Sequence, residues 1–310
     1  MTLRNALRWG DPGFQIDAED SEESLRNACC EIVSKDDSDS CLLGHVNVAN
    51  IKDEEELVYA TELMTLFLLS CTEYTHSPTE KAHRVRQENR RLGVGLMGLG
   101  EWFIKHGLRY GEVNEELDAW LGTWANTAEC AGRYWADSFS IPHPIATTAI
   151  APTGTTSLAC GLTTSGIEPV FAKAYIRTWL NGKVNRSVVV DPVVAKLLDE
   201  GFSVEEIESK IDTAYSLAYR LEDRVKFQAH LQGFVDNAIS STINVPGYEE
   251  YGETKVEYVK EHIFPHLEKL RGLTIYPDGG VGGQPLKHIA LSDALRGMDL
   301  PGGIEQGSGS

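Results

Sequence analysis

The chain has 310 residues, of which 42% are hydrophobic and 24% charged, a composition that is ordinary for a soluble globular protein and sufficient for one large α/β domain. Its formal net charge of −18 argues against binding to a nucleic-acid backbone, because such binding needs clustered lysines and arginines. The sequence shows no signal-peptide pattern, no apolar run of membrane-spanning length and no cysteine spacing typical of zinc sites, so we expect a cytoplasmic protein with reduced cysteines and no metal site.

Near the start of the chain, polar side chains alternate with small ones in the run NACCEI. In an extended or loop segment, alternate side chains project to the same side, so Asn27, Cys29 and Glu31 would point together into one site. Ala28 and Cys30 would point away from it. A thiol, a hydrogen-bonding amide and a base would then face one substrate. The alternative is that Cys29 and Cys30 are small buried hydrophobic residues, the commonest role of a free cysteine.

The next segments alternate between strand and helix patterns, which is typical of α/β proteins. Residues 42–48 are predicted to form a short buried strand, and residues 54–74 a long helix with an apolar stripe. Glycines recur in residues 92–100, with a spacing that superficially matches a dinucleotide-binding loop. We expect no strand before this run, so we interpret it as a site of close helix packing. A further helix is predicted over residues 115–138.

In the middle of the chain, a β-branched strand over residues 146–152 ends at a proline. It is followed by residues 153–159 (TGTTSLA), which are predicted to turn and open a helix. Small hydroxyl residues and a glycine allow backbone N–H groups to approach a phosphate, and a helix N-terminus adds partial positive charge. The segment therefore predicts an anion site. The alternative is simple capping of the helix by threonine or serine, which requires no ligand.

The second half of the chain continues the alternation of strands and helices. Asn181-Gly182 is a strong hairpin-turn signal, and Asp191 is followed by a proline at the favoured first position of a helix. Residues 291–310 are rich in glycine and polar residues, which predicts a flexible tail. The predicted elements are hairpin strands over 174–180 and 183–190, a helix from Pro192, a long amphipathic helix over 212–240, and strands over 241–245 and 273–276.

In this order, the segments resemble the catalytic large subunit of ribonucleotide reductases, specifically the C-terminal half of its ten-stranded α/β barrel with the central finger loop. The resemblance covers about residues 5–289, so we expect residues 1–290 to form this half. Any single motif is a modest signal, whereas the collinear order of all of them is a strong one. The motifs are GDPG at 10–13, NxCxE at 27–31, Cys41, APTGTTS at 151–157, SGIEP at 165–169, DNAISSTIN at 236–244 and TIYPDG at 274–279.

The resemblance implies a role for each residue of the finger-loop motif. Cys29 matches the cysteine that becomes a thiyl radical and abstracts the ribose 3′ hydrogen. Glu31 would accept the 3′-OH proton as general base, and Asn27 would hydrogen-bond the ribose. Cys41 matches one member of the cysteine pair that supplies two electrons and closes to a disulfide, so it must be a thiol at rest. The loop that grips the substrate phosphates is matched by Pro152, Thr153, Gly154, Thr155 and Thr156.

The resemblance also implies a radical source. Class I enzymes, which receive their radical from a small subunit, carry adjacent tyrosines at the strand near the end, where this chain has only Tyr276. The implied class is therefore class II, whose cofactor is adenosylcobalamin. Class III is disfavoured because Glu31 is present. Two alternatives stay open: a class I catalytic fragment fed by a small subunit, and a non-catalytic fragment that binds a nucleotide or a partner.

In the family, the first five barrel strands carry the second redox cysteine and the allosteric nucleotide site, and they have no match in this chain. No cysteine follows Cys160, so the C-terminal CxxC arm of many relatives has no match either. A half-barrel would expose strand edges and apolar faces to water. We therefore expect a split enzyme for ribonucleoside di- or triphosphates, completed by another chain or segment that supplies the N-terminal half, and served by an external dithiol.

Overall fold

The computed structural model describes residues 2–11, 13–17, 21–180, 184–246, 254–277 and 286–297. Helices and strands alternate along the chain, so the predicted α/β class is confirmed. The helices are α1 (Thr2–Trp9), α2 (Glu54–Tyr74), α3 (Glu80–Asn89), α4 (Leu99–Lys105), α5 (Glu115–Phe139), α6 (Gly154–Ala159), α7 (Pro192–Asp199), α8 (Val204–Lys210), α9 (Ala214–Leu217), α10 (Leu221–Leu231), α11 (Thr254–Ile263) and α12 (Leu291–Leu295). The strands are β1 (Phe14–Gln15), β2 (Leu25–Arg26), β3 (Val33–Ser34), β4 (Leu42–Asn47), β5 (Leu92–Met97), β6 (Ala174–Leu180), β7 (Val184–Val190), β8 (Thr242–Val245), β9 (Gly272–Pro277) and β10 (Leu286–Ile289).

Parallel strands and extended segments of the described chain form one layer, which we call the half-barrel. β4 pairs in parallel with β5, with Leu42 opposite Leu92. Residues 146–151 come next and residues 237–240 follow them, and these segments join the layer through isolated parallel bridges, Val94–Thr148 and Ile150–Ile239. The chain then continues into β8, which pairs in parallel with β9. The order of the layer is therefore β4, β5, 146–151, 237–245 and β9.

The two faces of the half-barrel have different surroundings, because side chains alternate along each strand. A Cβ on Gly44 of β4 would meet side chains of α2, so this face is covered by helices. A Cβ on Gly93 of β5 would instead meet Leu43 and Cys41. Cys41, Leu43 and His45 therefore lie on the opposite face, which we call the inner face.

The core lies on the helix-covered side of the layer. Trp102, Phe103 and Trp124 are fully buried there, in a cluster built mainly from α4, α5 and α10. A second cluster packs α1, α10 and α11 against β8 and β9, and it includes Leu7 and Ile243. Burial of each such side chain contributes roughly 1.5–3 kcal/mol to folding. The inner face is thus supported by a rigid, packed layer of helices.

The two edges of the half-barrel differ. β9 has β8 on one side and the antiparallel strand β1 on the other, with Phe14 opposite Leu273. Helix α1 packs over β9 and buries Leu7 completely. Within the described ranges, no strand pairs with the edge of β4 that faces away from β5. The described residues therefore cover the β9 edge of the sheet and leave the β4 edge without a paired strand.

The interpretation of residues 92–100 as a helix-packing site is wrong, because residues 92–97 form the fully buried strand β5. Glycine is needed at two of its positions, since a Cβ on Gly93 would collide with Leu43 and a Cβ on Gly95 with His45. The run ends at Gly98, whose φ of +80° begins α4. The glycines thus allow close approach between strands and inner-face side chains rather than between helices.

The single long helix predicted over 212–240 is also wrong. Thr213 caps the separate short helix α9 through a capping box with Ser216, α10 follows, and a 3-10 turn over Gln232–Phe234 ends the helical part. After this turn, the N–H groups of Asn237 and Ser240 bond to carbonyls of the 146–151 segment instead of to a helix. The helix ends here because these residues form strand-type backbone hydrogen bonds within the half-barrel.

The remaining predicted elements lie toward the C-terminal end. β6 and β7 pair antiparallel as predicted, and their turn at residues 181–183 lies outside the described residues. The predicted tail does not begin at Leu291, because this residue is buried at the start of α12 beside Val193 and Ile207. Residues 298–310 lie outside the described residues. Among the helices that the structure describes, none combines the length and the apolar character required to cross a bilayer.

Candidate active site

The finger-loop motif forms a tight turn within a loop and not an extended strand. Cys30 N donates to Asn27 O at 3.0 Å, and Cys30 has a φ of +65°. The turn still joins the first and last polar side chains of the motif, because Asn27 Nδ2 donates to Glu31 Oε1 at 2.7 Å. Asn27 Oδ1 in turn accepts from Ile32 N at 3.0 Å. The amide and the carboxylate are therefore brought together by a turn, which the alternation argument did not foresee.

Glu31 is held in place by hydrogen bonds, and one of its two carboxylate oxygens has no partner among the described residues. The residue is only 2% exposed, and its backbone carbonyl accepts from Ala238 N at 2.8 Å, which fixes the loop to the half-barrel. Its Oε1 is taken by Asn27, whereas Oε2 is buried and has no hydrogen-bond partner among the described residues. A buried carboxylate oxygen without a partner is costly in a resting protein, so it marks a place where a ligand donor fits.

Two thiols lie within electrostatic reach of Glu31. Cys29 is exposed at the turn, and Cys41 is half-buried at the start of β4. Burial raises the pKa of the Cys29 thiol, and the negative charge of Glu31 raises it further. Burial also raises the pKa of the Cys41 thiol, and Asp39 and Glu31 add to this rise. Both cysteines are therefore protonated thiols near neutral pH.

A buried arginine lies beside Cys41. Arg91 is 1% exposed, and its Nε donates to Asp39 Oδ2 at 3.0 Å, its Nη1 to Asn237 Oδ1 at 2.9 Å and its Nη2 to Glu23 Oε1 at 3.1 Å. A buried guanidinium needs partners of this kind. The positive charge of Arg91 partly offsets the rise in the Cys41 pKa. This network joins the strand ends next to the thiol and holds them in place.

The proposed phosphate loop is held by a hydrogen bond from Gly166 and is otherwise exposed. Thr153 adopts a left-handed φ of +49°, and its side chain does not cap α6. Its Oγ1 accepts instead from Gly166 N at 2.8 Å, so the capping alternative does not account for this threonine. Ser157 and Ser165 are joined through their hydroxyls at 3.1 Å. The residues of the loop with exposed side chains or backbone are Pro152, Gly154, Thr155 and Thr156.

The finger loop and the phosphate loop are attached to neighbouring strands. Glu31 O accepts from Ala238 N at 2.8 Å, and Ala238 O accepts from Ile150 N at 3.2 Å. Two strand spacings of this kind amount to about 10 Å. The phosphate loop begins at Pro152, two residues after Ile150. The structure therefore brings the two predicted parts of the site to adjacent positions of one layer.

Sequence reasoning missed two polar residues near these loops. His45 lies on the inner face with Cys41, and its Nε2 accepts from Ala151 N at 2.9 Å. The alternation from Cys41 through Leu43 to His45 within the predicted strand was a signal that could have found it. Glu168 accepts from Thr242 N and from Arg224 Nη2, each at 2.8 Å, and so links the SGIEP motif to β8.

The site has no metal-binding character in the part of the chain that the structure describes, where no three His, Cys, Asp or Glu side chains are grouped around a possible ion. All six cysteines fall within the described residues and are free thiols. The polar groups of the site are thus thiols, one buried carboxylate, amides and hydroxyls.

Curated relatives were found by sequence comparison. The chain is 27% identical to a putative adenosylcobalamin-dependent ribonucleoside-triphosphate reductase of Mycobacterium phage D29, over 92% of this chain and 46% of that protein. It is 25% identical to a vitamin B12-dependent ribonucleoside-diphosphate reductase of Mycobacterium tuberculosis, over 84% of this chain and 42% of that protein. The chain thus spans about half the length of the curated relatives that it matches.

Solved structures and family models also show similarity to ribonucleotide reductases. The crystal structure of a B12-dependent class II ribonucleotide reductase superposes with a TM-score of 0.73 at 15% sequence identity, over 95% of this chain and 47% of that chain. This likeness confirms the predicted fold, a partial α/β barrel. The family model for the barrel domain of ribonucleotide reductase matches residues 19–118 and 145–276, which is most of the chain. The resemblance inferred from the motifs is confirmed, and the chain belongs to the ribonucleotide reductase barrel-domain family.

Proposed function

We propose that this chain reduces ribonucleotides to deoxyribonucleotides by thiyl-radical chemistry, as the finger-loop part of a class II ribonucleotide reductase. The observation that carries the proposal is the unpartnered Oε2 of Glu31, buried within electrostatic reach of two protonated thiols. A general base must be able to accept a proton from the substrate, and Oε2 is the free position for it. Membership of the reductase family supports this interpretation.

Each residue of the loop has a distinct task in this proposal. Cys29, once a thiyl radical, removes the 3′ hydrogen atom of the ribose. Glu31 takes the 3′-OH proton on Oε2, while Asn27 holds Oε1 and so fixes the carboxylate plane. The 2′-OH leaves as water after protonation, and its replacement by hydrogen requires two electrons and two protons from a pair of thiols, which closes to a disulfide. Cys41 is one of that pair, and the other thiol comes from the N-terminal half of the barrel.

The loop over residues 152–156 binds the substrate phosphates. Its exposed threonines and glycine offer hydroxyl and backbone N–H donors, and Thr153 is held from behind by Gly166. Because the loop starts two residues after Ile150, the phosphates and the ribose of one nucleotide can be bound on the same layer. Because Cys41 must rest as a thiol, we place the enzyme in the reducing cytoplasm, with a dithiol as the external reductant.

Adenosylcobalamin is the proposed radical source, and the names of the relatives from phage D29 and M. tuberculosis support it. The exposure of Cys29 at the tip of the turn fits a cofactor that acts from outside the loop, whereas the base behind it is buried. When bound, the cofactor supplies an organic radical by breaking its cobalt–carbon bond. The role of this chain is to present the Cys29 thiol to the cofactor.

The barrel is completed by a second half, which we place at the open edge of β4. Helix α2 faces the sheet with its residues Met64 and Leu68, and it faces helix α5 with its residue Thr65. Successive helical residues are about 100° apart, so the face of α2 away from α5 can be identified. That face carries four exposed apolar side chains, which we call the α2 stripe: Tyr59, Leu63, Phe67 and Tyr74. An exposed apolar row beside an unpaired strand is typical of a protein interface.

Reconstitution tests the proposed function. The chain is co-expressed with the polypeptide that supplies the first five strands, and the purified complex is assayed for deoxyribonucleotide formation with adenosylcobalamin and a dithiol. We expect turnover that Cys29→Ser abolishes. The matched control is Cys130→Ser, since Cys130 is also exposed but lies on α5, and this variant should keep full activity.

The same assay separates the roles of the two thiols. Cys41→Ser should form the radical at Cys29 but fail in multiple turnover, because only one electron-donating thiol remains. A stable complex that makes no product contradicts the proposal, as does turnover by Cys29→Ser. Product formed without adenosylcobalamin would instead favour a class I fragment fed by a small subunit.

A further inference from the structure

His45 is placed between the redox thiol and the phosphate loop. It lies two side chains along the inner face from Cys41, with Leu43 between them, and its register partner on β5 is Gly95. A Cβ at Gly95 would collide with the imidazole ring. Because glycine leaves that space free, the ring reaches over β5, and Nε2 accepts from Ala151 N at 2.9 Å. Ala151 immediately precedes the phosphate loop.

The hydrogen bond to Ala151 fixes the tautomer of the ring. An imidazole nitrogen that accepts from a backbone N–H carries no proton, so the proton of the neutral ring is on Nδ1. Burial lowers the pKa of His45 to about 4, so the ring is neutral at physiological pH. No described residue accepts a hydrogen bond from Nδ1. The inner face therefore presents one oriented N–H donor with no protein partner in the described chain.

The imidazole ring itself forms the inner surface at this point. Gly93, Gly95 and Ala149 are small and buried beneath Leu43 and His45, whereas His45 keeps part of its own surface exposed. The part of a nucleotide that lies between the thiols and the loop is the ribose and its first phosphate, and both carry acceptor oxygens. A donor on a ring that is already held in place is suited to such an oxygen, because little side-chain entropy is lost when the bond forms.

We propose that His45 is a nucleotide-positioning residue, in which Nε2 anchors the start of the phosphate loop and Nδ1–H donates to a ribose or phosphate oxygen of the bound nucleotide. This inference rests on the proposed function and adds a contact that its finger-loop and phosphate-loop residues do not provide. It assigns no proton transfer to the ring, whose role is to orient.

Two conservative variants separate the two nitrogens. The side-chain amide of glutamine reaches the position of Nε2, so His45→Gln keeps an acceptor for Ala151 and loses the Nδ1 donor. The amide of asparagine reaches the position of Nδ1, so His45→Asn keeps a donor there and loses the anchor. The control is His143→Gln, which changes an exposed histidine paired with Asp137 outside the site.

The test measures ribonucleotide affinity and thermal midpoint in the reconstituted complex. We expect His45→Gln to weaken ribonucleotide binding about tenfold with an unchanged midpoint, since a hydrogen bond to a charged or polar ligand is lost. His45→Asn should lower the midpoint and weaken binding less. Imidazole nitrogen NMR of the wild-type complex should show a proton on Nδ1 whose resonance moves when ribonucleotide is added.

Unchanged affinity in His45→Gln, or a proton on Nε2, overturns the proposal and leaves a purely structural histidine. Binding and turnover are measured separately. A complex that binds ribonucleotide, loses affinity in His45→Gln and yet forms no deoxyribonucleotide would contradict the proposed function while supporting the role of His45.

Discussion

The two edges of the half-barrel are built from the same kind of parallel strand but end in opposite ways. At β9, the chain adds β1 and covers the strand with α1, so that Leu7 is completely buried. At β4, no described strand is added, Leu43 is 40% exposed, and the α2 stripe lies beside the open edge. An uncovered edge is a template for pairing with another strand. The described residues therefore pair and cover the β9 edge and leave the β4 edge available for pairing.

The two edges should differ most in how much a leucine-to-alanine substitution lowers the free energy of unfolding. Leu7→Ala removes a fully buried side chain from the covered edge, so we expect the free energy of unfolding to fall by about 2–5 kcal/mol. Leu43→Ala removes the same group from the open edge and should cost less than about 1 kcal/mol, because the leucine already contacts solvent. Urea unfolding of both variants measures the contrast. Equal losses would mean that the β4 edge is already covered in the isolated chain.

The next effect should be on association with the completing half. Phe67 is 60% exposed in the α2 stripe, and Tyr134 is 61% exposed on α5, outside the stripe. Phe67→Lys should weaken the complex by about 1–2 kcal/mol, which is roughly tenfold in affinity, because a charge replaces an apolar interface group. Tyr134→Lys should leave the affinity unchanged. Titration calorimetry measures both, and equal affinities for the two variants would move the interface away from α2.

The third effect should be on the reactivity of the Cys41 thiol beside the open edge. The pKa of the Cys41 thiol is raised by burial, so its thiolate fraction near neutral pH is very small. Alkylation by iodoacetamide should therefore be at least about tenfold slower at Cys41 than at the exposed Cys160. Because a raised pKa delays ionisation to higher pH, the rate at Cys41 should keep rising with pH into the alkaline range.

Mass spectrometry of the alkylated peptides measures these rates. Binding of the completing half should slow modification of Cys41 further and leave Cys130 on α5 unaffected. If Cys41 reacts as fast as Cys160, the thiol is not shielded in the way that the structure describes.

Parts of the fold that depend on local patterns were predictable from the sequence. Helix α2 was predicted with its observed bounds, since Asp53 supplies an N-cap and an apolar stripe follows it. Strand β5 was missed because glycines carry no side-chain pattern, and its strand character comes from pairing with β4. The end of α10 was missed because residues 237–240 are drawn into the sheet by partners far away in sequence.

The candidate site divides in the same way. The motif brought Asn27, Cys29 and Glu31 to attention, because their chemistry is unusual at that spacing, but the turn that joins Asn27 to Glu31 was not predicted. The bond between His45 and Ala151 spans 106 residues of sequence. Contacts of that range depend on strand order, which local patterns do not contain.

The two backbone hydrogen bonds of Ala238 limit how the geometry of the candidate site can change. The Ala238 N–H binds the carbonyl of the proposed base Glu31, and the Ala238 carbonyl binds Ile150, which leads into the phosphate loop. The separation between the proposed base and the proposed phosphate loop is therefore two hydrogen-bonded strand spacings. This spacing is fixed by backbone hydrogen bonds, and a register slip of one residue would turn side chains to the wrong face. Loops around the site can change in length without changing the spacing between Glu31 and residues 152–156.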